Sequence, residues 1–433
     1  MSTFGSGAAG EGPDPAAKTG SSVDETAIDA ALADNPMLAA IRGTPDHFAL
    51  GWDAAAGVAA QLAAADRAPT SRLDAEPAPA DHPRHPAATG DAETPRHADA
   101  ERRPLRSDAD DTHPPSGDDL GAVDGATTRP PIRRLIVCGM GGSAFPADLL
   151  ALHLRPRGVA IEVSRDYRVR AATIPADALV VASSFSGGTE ETLAAYDDAG
   201  ARGARRVVLA GGGRLAERAA ADGVPLIRLA KPFADFQPRA ATAMFVGALG
   251  RLVTDLGLAD SLDATFAAIA ARLRALAVEP AARTLAAALD GRIPLILAAA
   301  PHAEATARVM RIKLNENAKM AAFVGELPEF NHNAMVGFTR PGPLAVVLLR
   351  DPRLPERMRQ RMETTAAVLA ERGVPVHPVD LPDAEPIEQA FAALYLFDLV
   401  SCRLALRAGL DPNPVELIEG FKARLGSTPS TTG

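Results

Sequence analysis

Residues 178–192 read ALVVASSFSGGTEET, a run that passes from apolar residues through hydroxyls and glycines to carboxylates. Its first part favours a short buried strand, because strands of a parallel sheet covered on both faces contain continuous apolar runs. The two glycines favour a sharp turn, and the following TEET suits the first turn of a helix. The stretch therefore predicts a strand–loop–helix unit of an α/β fold, with hydroxyl side chains in the loop.

Short apolar runs alternate with amphipathic helical stretches from residue 132 onward. They predict two doubly wound units of parallel strands with helices between them, an arrangement that suggests an internal duplication. The closing helices are predicted at 387–409 and 413–425. The predicted strands are 133–139, 159–163, 178–184, 205–211 and 224–229 in the first unit, and 293–300, 320–326, 344–351 and 374–381 in the second.

Composition divides the chain further. Residues 1–23 are rich in Gly, Ala and Ser, and residues 64–131 are crowded with Pro, Asp, Arg and Ala. Neither segment can bury enough apolar area to offset its ordering entropy, so we predict disorder in both. The predicted organisation is a disordered segment (1–23), a helical arm with the only tryptophan, Trp52 (24–63), a disordered linker (64–131), a first sheet domain (132–262), a second sheet domain with a C-terminal helix (263–425), and a disordered tail (426–433).

Charge and cysteine content exclude several classes of protein. A net charge of −9 argues against a nucleic-acid-binding surface, which usually gathers Lys and Arg on one face. Cys138 and Cys402 fall in apparently buried elements, so a disulfide framework is excluded and a cytoplasmic location fits. No signal peptide and no run of about 18 apolar residues is evident, so we expect no membrane segment. We also expect no metal site in the linker, where histidines are irregularly spaced at His82, His85, His97 and His113.

A second glycine-containing loop lies in CGMGGSAFPADLL, residues 138–150. Its glycines let the backbone approach an anion at a helix N-terminus, and Ser143 adds a hydroxyl donor. Taken alone, the loop also fits the dinucleotide pattern G-x-G-x-x-A, with Glu162 about twenty residues further on. Two hydroxyl-lined loops at neighbouring strand ends instead predict a cup for a phosphate monoester, although the second loop's hydroxyls, Ser184, Ser186 and Thr189, are also typical helix caps.

Residues 308–338 contain two further candidates. Glu316 lies in an amphipathic helix with Lys313 and Lys319 one turn to either side, a spacing that ordinary surface ion pairs explain and that would keep the glutamate ionised. His332 stands between two asparagines in a loop that follows a proline, without the apolar neighbours of a core histidine.

Six motifs in this order resemble the bifunctional phosphoglucose/phosphomannose isomerase family of the sugar isomerase (SIS) domain proteins. The resemblance covers about 132–425, and the arm at 24–63 fits it, whereas the linker does not belong to the usual pattern. It implies two SIS-type domains and an aldose–ketose isomerase that uses no metal or redox cofactor. The motifs are GMGGS (139–143), SFSGGTEET (184–192), FQPRAA (236–241), KLNENAK (313–319), ELPEFNHN (326–333) and VELIEGFKARL (415–425).

The resemblance also implies roles for individual residues. Glu316 is similar to the base that carries a proton between C1 and C2 of glucose 6-phosphate or mannose 6-phosphate as fructose 6-phosphate forms. Arg239 resembles the arginine that stabilises the enediolate. His332 and Lys422 resemble ring-opening residues, with His332 contributed by the neighbouring subunit of a homodimer. The residues that would bind the phosphate are Gly142, Ser143, Ser184, Ser186 and Thr189.

Two positions depart from the family pattern, and two other functions stay open. Gly188 stands where the family more often has Asn, and Ala334 stands where a Glu usually follows, so the phosphate loop and the surroundings of His332 could differ. One alternative is a SIS-type sugar-phosphate-binding regulator without turnover. The retained residues Glu316, His332, Arg239 and Lys422 count against it. The other is a dinucleotide-dependent enzyme, which leaves the hydroxyl-rich loop unexplained.

Overall fold

A computed structural model describes residues 24–67 and 129–426. The predicted disordered segment 1–23, nearly all of the predicted linker and tail, and the four linker histidines lie outside the described residues. At the edge of the linker, residues 64–67 continue a helix, so the helical arm is longer than predicted.

The helices follow the predicted alternation with the strands. Four of them, α1 to α4, form the arm, and the boundary predicted between the two sheet domains falls between α8 and α9. The helices are α1 (Glu25–Ala33), α2 (Pro36–Arg42), α3 (Thr44–Ala54), α4 (Val58–Arg67), α5 (Phe145–Leu154), α6 (Glu190–Ala201), α7 (Gly213–Asp222), α8 (Thr242–Asp255), α9 (Asp263–Ala275), α10 (Glu279–Leu289), α11 (Thr306–Glu316), α12 (Glu356–Glu371), α13 (Pro386–Arg407) and α14 (Glu416–Leu425).

The described residues contain nine strands in two parallel sheets, which confirms the predicted α/β fold. The order is β2-β1-β3-β4-β5 in the first sheet and β7-β6-β8-β9 in the second. All seven residues of β3 are buried, because helices cover both faces of the sheet. The strands are β1 (Arg134–Gly139), β2 (Ala160–Ser164), β3 (Ala178–Ser184), β4 (Arg205–Ala210), β5 (Leu226–Arg228), β6 (Ile293–Ala299), β7 (Phe323–Leu327), β8 (Leu344–Arg350) and β9 (Val376–Asp380).

The helical arm packs on the body through close backbone contact. Gly51 of α3 and Gly247 of α8 have no side chain to separate the two helices: a Cβ on Gly51 would lie 1.8 Å from the carbonyl oxygen of Met244. The arm is also held by charge, since Arg403 of α13 is 4% exposed and ion-pairs with both Glu25 and Asp29 of α1.

The long helix α13 is shared by both halves of the fold. It packs against α1, α2 and α5 and also against α9, α10 and α11. Among the described residues, Pro386–Arg407 and Thr44–Arg67 are long and apolar enough to cross a membrane, judged by length and composition alone. However, α13 is mostly buried inside the fold, as core helices are, and a turn at residues 55–57 breaks the other segment into α3 and α4.

Candidate active site

The order of strands reverses between β1 and β3, because the chain leaves β1 towards β2 on one side and returns to β3 on the other. In open parallel sheets, ligands bind beyond the carboxyl ends of the strands at such a point. Gly139 at the end of β1 pairs with Ser183 of β3, so the loops that follow the two strands begin side by side. These loops are the two that the sequence predicts to hold a phosphate.

Two hydrogen bonds join the loops directly. The Ser183 hydroxyl donates to the backbone carbonyl of Ser143 at 2.6 Å, and the backbone N–H of Phe185 donates to the Ser143 hydroxyl oxygen at 3.0 Å. Gly139 permits this approach, since a Cβ there would lie 2.6 Å from the Ser183 carbonyl oxygen. The hydroxyl of Ser143 accepts a hydrogen bond in this geometry and keeps its own proton for a ligand.

The hydroxyls of the second loop form a connected set. Ser184 Oγ lies 2.9 Å from Thr189 Oγ1 and accepts a hydrogen bond from the backbone of Gly187 at 3.1 Å. Ser186 is exposed, and its Oγ accepts from the backbone of Gly188 at 3.3 Å. Thr189 is the residue that precedes α6, yet its hydroxyl contacts Ser184 rather than capping the helix. This arrangement differs from simple helix capping, because the buried Ser184 hydroxyl and the Thr189 hydroxyl bind each other within the loop.

The loop after β4 supports the phosphate loop from behind. Gly187 has a left-handed backbone (φ +66°), and a Cβ on it would lie 1.8 Å from the carbonyl oxygen of Gly212. The backbone N–H of Leu215 donates to the Gly187 carbonyl at 2.9 Å. Gly188 is different, because the nearest atom to a Cβ there is Ser186 Oγ at 4.0 Å. Only the first of the two glycines is therefore required by the geometry.

The first loop adjoins Arg239. A Cβ on Gly142 would lie 3.3 Å from the Cα of Arg239, which sits in the 3-10 turn Pro238–Ala240. The Arg239 guanidinium is buried and makes three short hydrogen bonds: Nε donates to Asn317 Oδ1 at 2.6 Å, and Nη2 donates to the carbonyls of Pro412 and Asn413 at 2.6 and 2.7 Å. Burial lowers the pKa of Arg239, and nearby Glu316 opposes that shift. Arg239 thus places a fixed positive charge at the site.

Glu316 ends α11 and faces this charge. Its Oε2 lies 4.0 Å from Arg239 Nε, and its side chain is 25% exposed, so the carboxylate meets both the guanidinium and solvent. The prediction that Lys313 and Lys319 are its surface partners is wrong. Lys313 is buried and ion-pairs with Asp398 at 2.7 Å.

Lys319 bonds backbone atoms rather than the Glu316 carboxylate. Its Nζ donates to the carbonyls of Glu316 and Pro412 at 2.8 and 2.9 Å. Desolvation, followed by the neighbouring charge of Arg239, lowers the pKa of Lys319. The cation nearest to the Glu316 carboxylate in these ion pairs is therefore Arg239, a residue distant from Glu316 in the sequence.

His332 and Lys422 lie elsewhere on the surface. His332 is exposed in the 3-10 turn Glu329–His332, and Lys422 is exposed on α14, where it pairs with Glu419 at 2.8 Å. Among the hydrogen bonds and ion pairs of residues 24–67 and 129–426, none links either residue to Glu316 or Arg239. One chain therefore brings together the phosphate loops, Arg239 and Glu316, and leaves the two predicted ring-opening residues outside this group.

Sequence reasoning missed the residues that hold Arg239. Asn317 stands next to Glu316 in KLNENAK, and its amide oxygen accepts from the Arg239 guanidinium. Asp398 is a carboxylate in the middle of an otherwise apolar helix, and this pattern could have indicated a buried partner of opposite charge. The carbonyls of Pro412 and Asn413 carry no signal in the sequence, because any residue type provides a carbonyl.

The second sheet has an analogous reversal between β6 and β8, but side chains fill it. His302 Nε2 lies 2.8 Å from Gln389 Oε1, and Gln389 Nε2 donates to Asp351 Oδ1 at 2.8 Å. All three residues are buried. The carboxyl edge of the first sheet differs, because its loops carry hydroxyl side chains, of which Ser186 is exposed and Ser143 and Thr189 are half-buried.

Metal binding and dinucleotide binding each need side chains in a particular arrangement. Within the described ranges, no cluster of three or more His, Cys, Asp or Glu side chains is placed to hold a metal ion. Glu162 lies at the centre of β2, paired with Ile136, rather than at the carboxyl end where a ribose partner would stand. Glu162 is therefore not placed to bind the ribose of a dinucleotide, as the dinucleotide hypothesis requires.

Comparison with known proteins places the chain among phosphosugar isomerases. Residues 279–425 match the family described as bacterial phospho-glucose isomerase C-terminal SIS domain. The chain is 32% identical over 308 residues to the bifunctional phosphoglucose/phosphomannose isomerase of Caldicellulosiruptor bescii, covering 68% of this chain and 90% of that protein. It is 28% identical to the protein of the same name from Aquifex aeolicus, covering 68% and 91%. The crystal structure of a hypothetical protein from Thermus thermophilus superposes with a TM-score of 0.55 at 19% identity, covering 68% and 84%, and shows the same fold.

Proposed function

Because the chain belongs to the bifunctional phosphoglucose/phosphomannose isomerase family, we propose that it interconverts fructose 6-phosphate with glucose 6-phosphate, mannose 6-phosphate or both, through an enediolate. The observation that carries this proposal is the continuity of the site. The loop of Ser143 bonds the end of β3 and contacts Arg239, which in turn faces Glu316. An anion-binding edge and a carboxylate beside a fixed cation are the two parts that this reaction needs.

The phosphate loops would bind the substrate at its sixth carbon. The N-termini of α5 and α6 lie behind these loops and favour a negatively charged group through their free N–H groups and partial positive charge. Binding the phosphate far from C1 and C2 supplies orientation rather than chemistry. The residues assigned to the phosphate are Gly142, Ser143, Ser184, Ser186 and Thr189.

Glu316 and Arg239 would carry out the isomerisation step. Glu316 takes the proton from C2 of the open-chain aldose, and the electron pair of that C–H bond forms the enediolate. The same carboxyl returns the proton to C1 while the hydroxyl proton on O2 is transferred to O1, so that C2 becomes the carbonyl and C1 the hydroxymethyl group of the ketose. Arg239 stabilises the enediolate through its fixed charge, because its Nε and Nη2 hydrogen bonds are already made to Asn317 and to backbone carbonyls.

We assign ring opening to His332 and Lys422 in a homodimer, with His332 reaching the neighbouring active site. The support is that His332 is exposed and lies outside the Arg239–Glu316 group of its own chain. In addition, α14 presents an apolar stripe to solvent, with Leu417 90% and Phe421 63% exposed, as expected of a helix that has its partner on another chain.

The departures from the family pattern are compatible with catalysis. The space beside Gly188 is open, so the asparagine found in relatives is not needed to shape the loop backbone. Ala334 is exposed, and its backbone N–H donates to Asn333 rather than contacting His332. The pairing of Glu316 with Arg239 favours turnover over the alternative of a sugar-phosphate-binding regulator, for which a base at this position has no use.

Location and metabolic role follow from the proposed reaction. Cys138 and Cys402 are free and buried, which fits a reducing compartment, and we assign the protein to the cytoplasm. Interconversion of hexose 6-phosphates would place it in carbohydrate metabolism, in glycolysis and gluconeogenesis. The domain limits 132–262 and 263–425 belong to the same proposal.

The proposed reaction is tested with purified protein and fructose 6-phosphate, without NAD(P), by following the aldose 6-phosphates that form. The matched control is Glu316→Gln, which keeps the shape of the side chain and removes the base. We expect kcat to fall at least about a thousandfold with KM little changed, as for loss of a positioned base. Turnover equal to that of the unchanged protein would remove Glu316 from the mechanism, and no product from either protein would favour the regulator.

The proposed exchange of His332 is tested by mixing subunits. Glu316→Gln and His332→Ala proteins are each expected to be inactive, but a mixed dimer would contain one site with Glu316 from one subunit and His332 from the other. Random reassociation should then restore about a quarter of the activity, because half of the dimers are mixed and each has one complete site. If His332 serves its own chain, mixing restores nothing.

A further inference from the structure

A buried ion pair lies directly behind the site, between α11 and α13. Lys313 is 2% exposed, and its Nζ lies 2.7 Å from Asp398 Oδ1. A buried pair of this kind is weak support for stability, since desolvating two charges costs about as much as their attraction returns. Its other contacts therefore matter more than the pair itself.

Lys313 also holds the backbone of the arginine proposed to stabilise the enediolate. The same Nζ donates to the carbonyl oxygen of Arg239 at 2.8 Å. Asp398 fixes the direction of the ammonium group, so that one of its three N–H bonds points at the turn Pro238–Ala240. The ion pair thus orients a donor at one end of Arg239.

A second set of contacts holds the other end of the same residue. One helical turn after Lys313, Asn317 Oδ1 accepts from Arg239 Nε at 2.6 Å, and Asn317 Nδ2 donates to Ser401 Oγ at 3.0 Å. Ser401 in turn donates to the backbone carbonyl of Asp398 at 3.0 Å. Lys313 and Asn317 are four residues apart and therefore share one face of α11.

Glu316 is carried by the same turn of α11 as these two side chains. One turn of α11 thus sets the distance of 4.0 Å between Glu316 Oε2 and Arg239 Nε, because it carries the Glu316 carboxylate and, through Asn317, also binds the guanidinium. α13 fixes that piece from behind through Asp398 and Ser401. We propose that Lys313, oriented by Asp398, is a positioning residue that works with Asn317 to hold Arg239 at its catalytic distance from Glu316.

The inference rests on the proposed isomerase function, and the test separates positioning from stability. Lys313→Met removes the donor and leaves Asp398 unpaired, so it lowers both stability and kcat. Lys313→Met with Asp398→Leu replaces the ion pair by apolar side chains, and such replacements often keep or raise stability. We expect this double variant to recover its urea midpoint while kcat stays about 30-fold to 100-fold low and KM changes by less than about threefold.

Two further variants serve as controls. Arg403→Met breaks the buried ion pairs of α13 with Glu25 and Asp29, which do not involve Arg239, and should lower the urea midpoint with kcat unchanged. Ser401→Ala is a small change that removes the acceptor of Asn317, and should lower kcat about threefold to tenfold in a protein that folds normally. Hydrogen exchange of the Arg239 Nε–H, followed by NMR, reports the grip on the guanidinium without any need for turnover.

The outcomes are distinct. A double variant with normal stability, reduced kcat and Arg239 Nε–H exchange at least about tenfold faster supports positioning. A double variant whose kcat and exchange both match the unchanged protein overturns it. If the unchanged protein has no isomerase activity, the proposed function fails, and the exchange comparison alone decides whether Lys313 holds Arg239.

Discussion

Replacing Gly187 by alanine tests whether the phosphate loop needs its present backbone. The new Cβ would lie 1.8 Å from the Gly212 carbonyl oxygen, whereas real Cβ contacts essentially never fall below 3.0 Å. Both partners are backbone, so the loop after β3 and the loop after β4 must separate by about 1 Å. The left-handed φ of +66° adds about 1 to 2 kcal/mol of strain for any residue with a Cβ.

The displacement of the loop and the backbone strain together set the expected effect. Displacement of a substrate-positioning loop by about 1 Å costs about a hundredfold in kcat/KM, and strain together with the lost packing costs about 3 kcal/mol of unfolding free energy. The assay is kcat/KM for fructose 6-phosphate, measured beside urea unfolding. A high concentration of fructose 6-phosphate should restore little of the lost rate, because the loop aligns the sugar for reaction as well as binding it.

Two matched controls separate the effect of backbone strain from the effect of displacing the loop. Gly203→Ala has almost the same φ, +68°, with no atom within 4 Å of the new Cβ, so it reports strain alone, about 1 kcal/mol, with normal activity. Gly188→Ala has open space and no left-handed φ, and should be close to neutral in both assays. A Gly187→Ala protein that matches Gly188→Ala in kcat/KM would refute the assignment of this loop to the substrate.

Three further predictions concern other parts of the structure. Arg403→Met removes the buried cation that Glu25 and Asp29 share, leaving Arg407 beside Glu25 and Arg283 beside Asp29, and should reduce the free energy of unfolding in urea by about 2 kcal/mol. A change below about 0.5 kcal/mol would show that the contacts of Arg403 with α1 contribute little. Burial lowers the pKa of His47 to about 4, so the unfolded chain takes up a proton before the folded one does, and stability present above pH 6.5 is lost as the pH falls towards 4. His47→Gln should therefore make the unfolding free energy depend less steeply on pH between pH 4 and 6.5. An unchanged slope would show that His47 is not the group responsible for this pH dependence. Ser184→Ala removes the acceptor of the Gly187 N–H and should raise KM for fructose 6-phosphate about tenfold with a smaller change in kcat, whereas an unchanged KM would exclude this hydroxyl from the phosphate site.

The sheets could be predicted from the sequence because their signals are local. Most strands contain a short apolar run, and no strand end moved by more than three residues, the largest shift being at the start of β7. The two phosphate loops could be placed next to each other for the same reason, since parallel neighbours bring their carboxyl ends to one edge. A strand that helices cover on both faces is apolar along its length, so it can be recognised in the sequence without knowing which helices pack on it.

The surroundings of Glu316 could not be predicted in this way. The i,i+3 spacing of Lys313 and Glu316 is typical of an exposed helix face, yet α13 covers Lys313 and supplies Asp398 from a distant part of the sequence. The charge that faces Glu316 comes from Arg239, on a turn before α8. Such pairings depend on which helices pack together, and helical periodicity alone does not specify that.

The central position of α13 has a consequence for how this protein could be divided. A gene cut at residue 262 would yield one fragment with the arm and the first sheet, and another with the second sheet and α13. The first fragment would lose the surface that covers α1, α2 and α5, while the second would expose the same apolar side chains to water. Although each half contains a parallel sheet, the two halves are not interchangeable modules, and recombination with a relative should succeed only when both halves are inherited together.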